Sequence, residues 1–267
     1  MATFVISNLN ARNFTFEHIR FEKLKRTIAI ENQWIDEYRA TFKAVADDNL
    51  NVTPIIQDEG LIGVVNDICL LLSLAQSRYV YCPEYTISRG SIQRVSYRKG
   101  KIFDPKTIED SNLKDYLLSA ANTLRQPNWA KKTGFIPSAY FWAETLNHEP
   151  GDIGFLLTWI ALEILANAHT LKRYSKSKAD KICIRQKISE MVEDYHWQFF
   201  REDLISKSKK IRDKIMHEGN YGNIDRNTMP TLFSELLKAV QLALINLLGC
   251  SSYINNTQNL TLETGQE

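Results

Sequence analysis

Residues 152–169, DIGFLLTWIALEILANAH, decide how the rest of the chain is read. Phe155, Leu156, Trp159, Ile160, Leu162, Ile164 and Leu165 are spread round every side of one helical projection. A helix that is apolar all round has to be surrounded by other elements, so this segment predicts the central, most buried helix of a bundle. The segments around it supply the neighbours. Residues 112–125 predict a helix, and residues 138–147 predict another that Pro137 introduces and His148-Glu149-Pro150-Gly151 ends. Residues 179–195 carry the stripe Ile184, Ile188, Met191, Val192 and Tyr195. Residues 203–220, DLISKSKKIRDKIMHEGN, form an amphipathic helix whose stripe runs from Leu204 through Ser208 and Ile211 to Ile215 and which a glycine stops. A last helix begins with Pro230 in its first turn and continues to Gly249.

The first hundred residues read differently. Phe14, Phe16, Ile28 and Ile30 fall in short extended runs, while Trp34, Tyr38, Phe42 and Val45 recur at helical spacing. Residues 59–76 predict an apolar helix, and Arg78–Ile87 with Ser91–Arg98 predict a β-hairpin turning at Ser88-Arg89-Gly90. Residues 100–110, with Asp104-Pro105, read as a linker. The expected organisation is mainly α: a smaller mixed α/β N-terminal region over 1–110 containing a β-hairpin, a helical bundle over 111–250, and a disordered polar tail over 251–267. No internal repeat is evident.

Composition bounds the function classes. A chain of 267 residues with 44% hydrophobic and 24% charged residues has the make-up of a soluble globular protein with a sizeable core. Its formal charge of +2 does not mark a nucleic-acid binder. The distribution is more informative: Lys172, Arg173, Lys176, Lys178, Lys181, Arg185 and Lys187 face the single acid Asp180 over residues 171–187. The alternative is a solvated loop and exposed helix face. Cys69, Cys82, Cys183 and Cys250 form no CxxC pair, so neither a zinc site nor any other metal or cofactor is expected. No leader is evident over residues 1–10, and the apolar run 153–165, broken by Thr158 and Glu163, reads as too short to span a bilayer. A cytoplasmic protein with no membrane partner is therefore expected. No activated Ser or Cys, phosphate-cradling glycine loop or carboxylate cluster stands out.

The chemistry-bearing pattern is Arg212-Asp213-Lys214-Ile215-Met216-His217. An imidazole can move a proton near neutral pH and a guanidinium can grip a phosphate with a planar fork. Together they suffice for cleaving RNA, whose 2′-hydroxyl is already the nucleophile. The spacing alone is weak, since Arg12 and His18 fit it as well; those two lie in an extended, phenylalanine-rich stretch and are read as coincidence. Asp213 and His217 share a helix face, whereas Arg212 and His217 lie roughly 140° apart. A widened helix end, the reach of the arginine, or a second copy of the motif across a two-fold axis would bring both to one target. The bland alternatives are an ion pair for Arg212 and, for His217, a cation complementing the helix C-terminus.

Residues 159–163 (Trp-Ile-Ala-Leu-Glu), preceded by Tyr140 and Ala143, and followed by Arg212-Asp213-x-x-x-His217 near the end of a later helix, resemble the HEPN superfamily and specifically its ApeA-like branch. The order of an apolar helix over 61–74, a hairpin over 79–97 and then the bundle is similar too. The resemblance is strongest over 135–250. It implies an α-helical bundle that forms a homodimer and cleaves tRNA or single-stranded RNA without metal at a composite interface site, leaving a 2′,3′-cyclic phosphate. It further implies that His217 is the general acid or base, that Arg212 stabilises the charge on phosphorus, and that Asp213 occupies a position where the family often has Asn. Glu163 would be a buried acid fixing Arg212, or else a capped or solvent-facing residue. Trp159 reads as core in preference to base-stacking. Lys172, Arg173, Lys176, Lys178, Lys209, Lys210 and Lys214 would hold the RNA. Many members act as antiphage-defence, abortive-infection or toxin effectors, and residues 1–110 would then sense a trigger or bind a regulatory partner. A non-catalytic module of the same kind, binding RNA or a partner protein, is the alternative.

Overall fold

The computed structural model describes residues 1–32, 35–47, 50–56, 60–87, 90–93, 106–148, 151–219 and 228–255, with backbone alone over 26–32, 35–40, 90–93 and at Thr228. The fold is mainly helical, with an N-terminal antiparallel sheet and a helical C-terminal region. It divides into two compact units, Met1–Gln126 together with Leu248–Glu267, and Pro127–Leu247.

In the first unit the described strands are β1 (Ala2–Ser7), β2 (Phe14–Phe16), β3 (Ile19–Asn32), β4 (Ile35–Ala46), β5 (Tyr81–Ile87) and β6 (Gly90–Gln93). They form one sheet in the order β2-β3-β4-β1-β5-β6. Alternation sets its buried face: Phe4, Ile6, Phe16, Phe21, Phe42 and Ala44 are fully buried. Helix α1 (Gly60–Gln76) is buried along most of its length. It is tied down by Asp67, whose Oδ2 accepts from the Ile56 amide at 2.9 Å, and by Gln76, which exchanges two bonds with the Asn10 backbone (2.8 and 2.9 Å).

Several expectations change here. The helical spacing of Tyr38, Phe42 and Val45 is misleading: these residues belong to β4, which pairs with β3 from Arg20↔Val45 to Asn32↔Ile35. An i, i+3 pair such as Phe42 and Val45 shares a helix face but lies on opposite faces of a strand. Trp34 lies outside the described residues. The hairpin is present as β5 and β6, paired from Glu84↔Gln93 to Ile87↔Gly90; Ser88, Arg89 and residues 94–98 lie outside the described residues.

The expected break after residue 110 is displaced to Gln126, because α2 (Leu113–Leu124) belongs with the sheet. The Tyr116 hydroxyl donates to the Leu71 carbonyl at 3.1 Å, and Arg125 reaches the Pro54 and Thr53 carbonyls and the Glu17 carboxylate. Of the expected linker, Thr107 and Ile108 are buried, and both amides donate to the Ala75 carbonyl at the end of α1. The start of the expected tail is likewise structured. Ile254 bridges Ile108, and Asn255 donates from its amide to Thr107 O (3.0 Å) and from Nδ2 to Glu109 (2.7 Å). Residues 256–267 lie outside the described residues.

The second unit contains α3 (Trp129–Thr133), α4 (Phe135–Thr145), α5 (Asp152–Arg173), α6 (Lys176–Ala179), α7 (Ile184–Asp194), α8 (Glu202–Glu218) and α9 (Thr228–Leu247). As the sequence predicts, α5 is central, touching α3, α4, α6, α7, α8 and α9. It runs four residues past His169, and by length and composition alone (mean hydropathy 1.3) it is long enough to cross a bilayer, contrary to the expectation from residues 153–165; 56% of that window is buried inside the protein. Polar bonds key the packing. Ser138 donates to Ala161 O at 3.0 Å, Thr158 to Thr145 Oγ1 at 3.2 Å, and the buried Trp142 indole to Leu237 O at 2.9 Å. Gly134 joins α3 to α4 at φ 67°, and a Cβ there would sit 3.0 Å from Ala168 Cβ and 3.1 Å from Ile164 Cγ2. Both its backbone angle and this close approach therefore favour glycine. The helix expected over 179–195 starts late, as α7 at Ile184, because Cys183 just before it is extended (φ −68°, ψ 153°); Ala179 instead ends the short α6.

Candidate functional site

Helix α8 is amphipathic, with Leu204, Ile205, Ser208, Ile211 and Ile215 buried. That stripe leaves Arg212 and Asp213 half-buried at its margin and His217 exposed in the last turn. Gly219 (φ 74°) ends the helix, its amide donating to Ile215 O at 3.0 Å.

The Arg212 guanidinium is fixed from two sides. Its Nη2 lies 3.3 Å from Glu163 Oε1 on α5, and its Nη1 donates to Asp213 Oδ1 at 3.1 Å. Glu163 is itself held, because the same Oε1 accepts the Trp159 indole N–H at 2.7 Å, one helical turn back. Trp159 is fully buried, so its ring is core and its single polar atom positions the carboxylate. A chain of contacts thus runs from the interior of the bundle through Trp159 and Glu163 to Arg212. Guanidinium orientation is therefore set by the fold, which limits the rotamer freedom of the side chain.

Asp213 bonds Lys209 Nζ at 2.5 Å as well as Arg212. The Lys209 hydrogen bond chiefly, then those of Arg212, outweigh partial burial and hold the Asp213 carboxyl below the usual carboxylate range. Its bonds run to these two cations, so Asp213 is engaged along α8 and not with His217. His217 has no hydrogen-bond or ion-pair partner among the described residues. Lys210 is exposed and Lys214 half-buried on the same helix.

The other expected RNA-binding residues lie at the far end of α5. Lys172 is nine residues beyond Glu163, half a turn round the helix and about 14 Å along its axis. The basic residues therefore do not form one continuous footprint with Arg212. Arg173 is committed to Asp194 at 2.7 Å, Lys187 donates to Asn167 at 2.8 Å, and Arg185 pairs with Glu202. Lys178 Nζ lies 4.1 Å from the Tyr174 ring centre.

One cluster was not anticipated. His169, only 7% exposed, approaches Asp194 with Nε2 at 3.0 Å, packs on Tyr195, and leaves Nδ1 buried without a hydrogen-bond partner. The carboxylate fixes the proton on Nε2. The sequence signal was the i, i+4 pair of His169 and Arg173, which both meet Asp194 on α7. Burial pushes the His169 imidazole below its ordinary value; the charges of Arg173 and Lys172 act in the same sense, and Asp194 opposes them. A histidine kept neutral by folding stabilises the native state above its unfolded pKa, about 6.5, and loses that contribution as pH falls towards the lowered folded value. Thermal denaturation should therefore show the melting temperature falling between pH 7.5 and 5, and His169→Gln should flatten the fall; an equally steep fall in that variant would assign it to other groups.

Among the described residues no group of three or more His, Cys, Asp and Glu could hold a metal ion. The free cysteines are scattered, with Cys69, Cys82 and Cys250 buried and Cys183 exposed. No protein-family model matches this chain, and neither a curated protein nor a solved structure is similar to it at a significant level.

Proposed function

We propose that the chain is a metal-independent endoribonuclease of the HEPN type, acting on tRNA or single-stranded RNA through Arg212 and His217. The observation that carries this is the anchored guanidinium: Trp159 and Glu163 hold Arg212 in place five residues before an exposed imidazole. In the reaction the 2′-hydroxyl oxygen bonds to the adjacent phosphorus as the P–O5′ bond breaks. The hydroxyl proton leaves and a proton reaches the 5′ oxygen, so the products are a 2′,3′-cyclic phosphate and a 5′-hydroxyl. His217 carries out proton transfer, and the Arg212 N–H groups left over from Glu163 and Asp213 stabilise charge on the phosphoryl oxygens. Lys209, Lys210 and Lys214 offset the two carboxylates beside the guanidinium. Because Arg212 and His217 diverge by roughly 140° round α8, a homodimer pairing Arg212 of one protomer with His217 of its partner makes the better site. On the strength of the sequence resemblance alone, we propose an antiphage-defence or toxin effector, with the sheet-bearing unit sensing the trigger or a regulatory partner.

A non-catalytic module binding RNA or protein is the second reading. It is favoured by the placement of the Arg212 guanidinium between two carboxylates, which compete with phosphate. Incubating the purified protein with mixed tRNA and single-stranded RNA in EDTA separates the two. Fragments ending in cyclic phosphate are expected; intact RNA with retained binding would replace the first reading by the second.

A further inference from the structure

The end of the second unit remote from Arg212 collects cations from three helices. Docking of Gly134 against Ile164 and Ala168 brings the last turn of α3, with Lys131 and Lys132, alongside the last turns of α5. Lys172 lies in the last turn of α5, and Lys176 and Lys178 follow on α6. Lys132 is near enough for its charge to lower the pKa of Lys172, in addition to the larger effect of burial. Two cations lie over the Tyr174 ring, Lys178 Nζ at 4.1 Å and Arg173 Cζ at 5.6 Å from its centre. No acid pairs with Lys131, Lys132, Lys172, Lys176 or Lys178 among the described residues, whereas Lys106, Arg185, Arg201, Lys207 and Lys209 all have carboxylate partners.

Helix C-termini favour a cation each, which accounts for a lysine on each helix. It does not account for their convergence without a counter-ion, since like charges at close range repel. An external polyanion would supply that counter-ion, and an aromatic ring among the cations suits a nucleic acid better than a lipid headgroup, because a base can pack against the ring where a headgroup cannot.

We infer that Lys132, Lys172, Lys176 and Lys178, with the ring of Tyr174, form a second RNA-binding surface, separate from the Arg212 site, that holds the backbone of the strand presented there. This rests on the ribonuclease reading only for the role of the strand, not for the binding itself. Lys172 lies half a turn and about 14 Å from Glu163 along α5, so the substrate must be several nucleotides long to reach both.

The test compares the full-length protein with Lys132→Glu/Lys172→Glu/Lys176→Glu, and with the Gln versions of the same three sites in case the reversed charges disturb folding. The probes are 2′-O-methylated RNAs of 4 and 30 nucleotides, which cannot be cleaved by 2′-oxygen attack, and vesicles containing phosphatidylserine. Fluorescence anisotropy should show the wild-type protein binding the 30-mer much more tightly than the 4-mer. The variants should lose about tenfold or more of that advantage, and the dependence of log K on log salt should become shallower by about 2. Retention of the length advantage in folded variants would overturn the inference. So would loss of vesicle binding with RNA binding intact, which would assign the patch to a membrane surface. If no RNA is cleaved but the variants lose the length advantage, the ribonuclease reading fails and the binding surface stands.

Discussion

His217→Ala should lower RNA cleavage by about 10²–10⁴, the usual contribution of a general acid or base, and leave the fold untouched. The separation of these effects follows from position. His217 is exposed in the last turn of α8, outside the buried stripe, and the helix is ended by the Gly219 amide bonding to Ile215 O without help from the imidazole. Exposed substitutions of this kind stay within about 0.5 kcal/mol, so the melting temperature should move by no more than a degree or two. Single-turnover cleavage, together with circular dichroism, reads both quantities. Full activity in the variant would remove His217 from the chemistry, and a large loss of stability would mean that it supports the helix end.

Arg212→Lys should reduce cleavage by about 10² or more even though the charge is preserved. The guanidinium spends one N–H towards Glu163 and one on Asp213, and keeps three for phosphoryl oxygens. An ammonium has three donors on one atom; meeting both carboxylates would leave one, and its donors cannot form a planar fork. The loss belongs in the rate at saturating RNA, because the fork acts on charge that develops in the transition state. Glu163→Gln makes a useful companion, since the amide oxygen can still accept the Trp159 indole while the negative charge that orients Arg212 is gone. A variant Arg212→Lys as fast as the parent would point to a purely electrostatic role, compatible with binding without catalysis.

What the sequence made legible follows from periodicity. Helices α1, α2, α5 and α8 each carry an apolar pattern long enough for only one reading, and their observed limits lie within a few residues of those expected. Strand β3 was announced by the extended run of Ile28 and Ile30, whereas β4 was hidden because Tyr38, Phe42 and Val45 imitate a helical repeat inside a segment that alternates on a sheet. The five-residue α3 and four-residue α6 are too short to show a period at all. Residues 251–255 read as polar tail because Ile254 is the only aliphatic side chain in that stretch, and its partner Ile108 is remote in sequence. At the site, the pairing of Glu163 with Trp159 is an i, i+4 relation visible on one helix. The opposite azimuth of Lys172 follows from its nine-residue separation from Glu163 on one helix, whereas the engagement of Arg173 by Asp194 depends on how helices pack, which no local pattern encodes.

The return of residues 248–255 to the first unit has a consequence for the order of biosynthesis. Ile108 and Ile254 can meet only after everything between them has been translated, so the helical unit has fully emerged before the sheet-bearing unit receives its last segment. Bringing Thr107 and Ile108 together with their partners then closes a very long loop, and the entropy of that closure grows only slowly with length when the intervening chain is flexible. A nascent chain released early, at Leu247, would carry α1 to α9 and lack the bonds that Asn255 makes to Thr107 and Glu109.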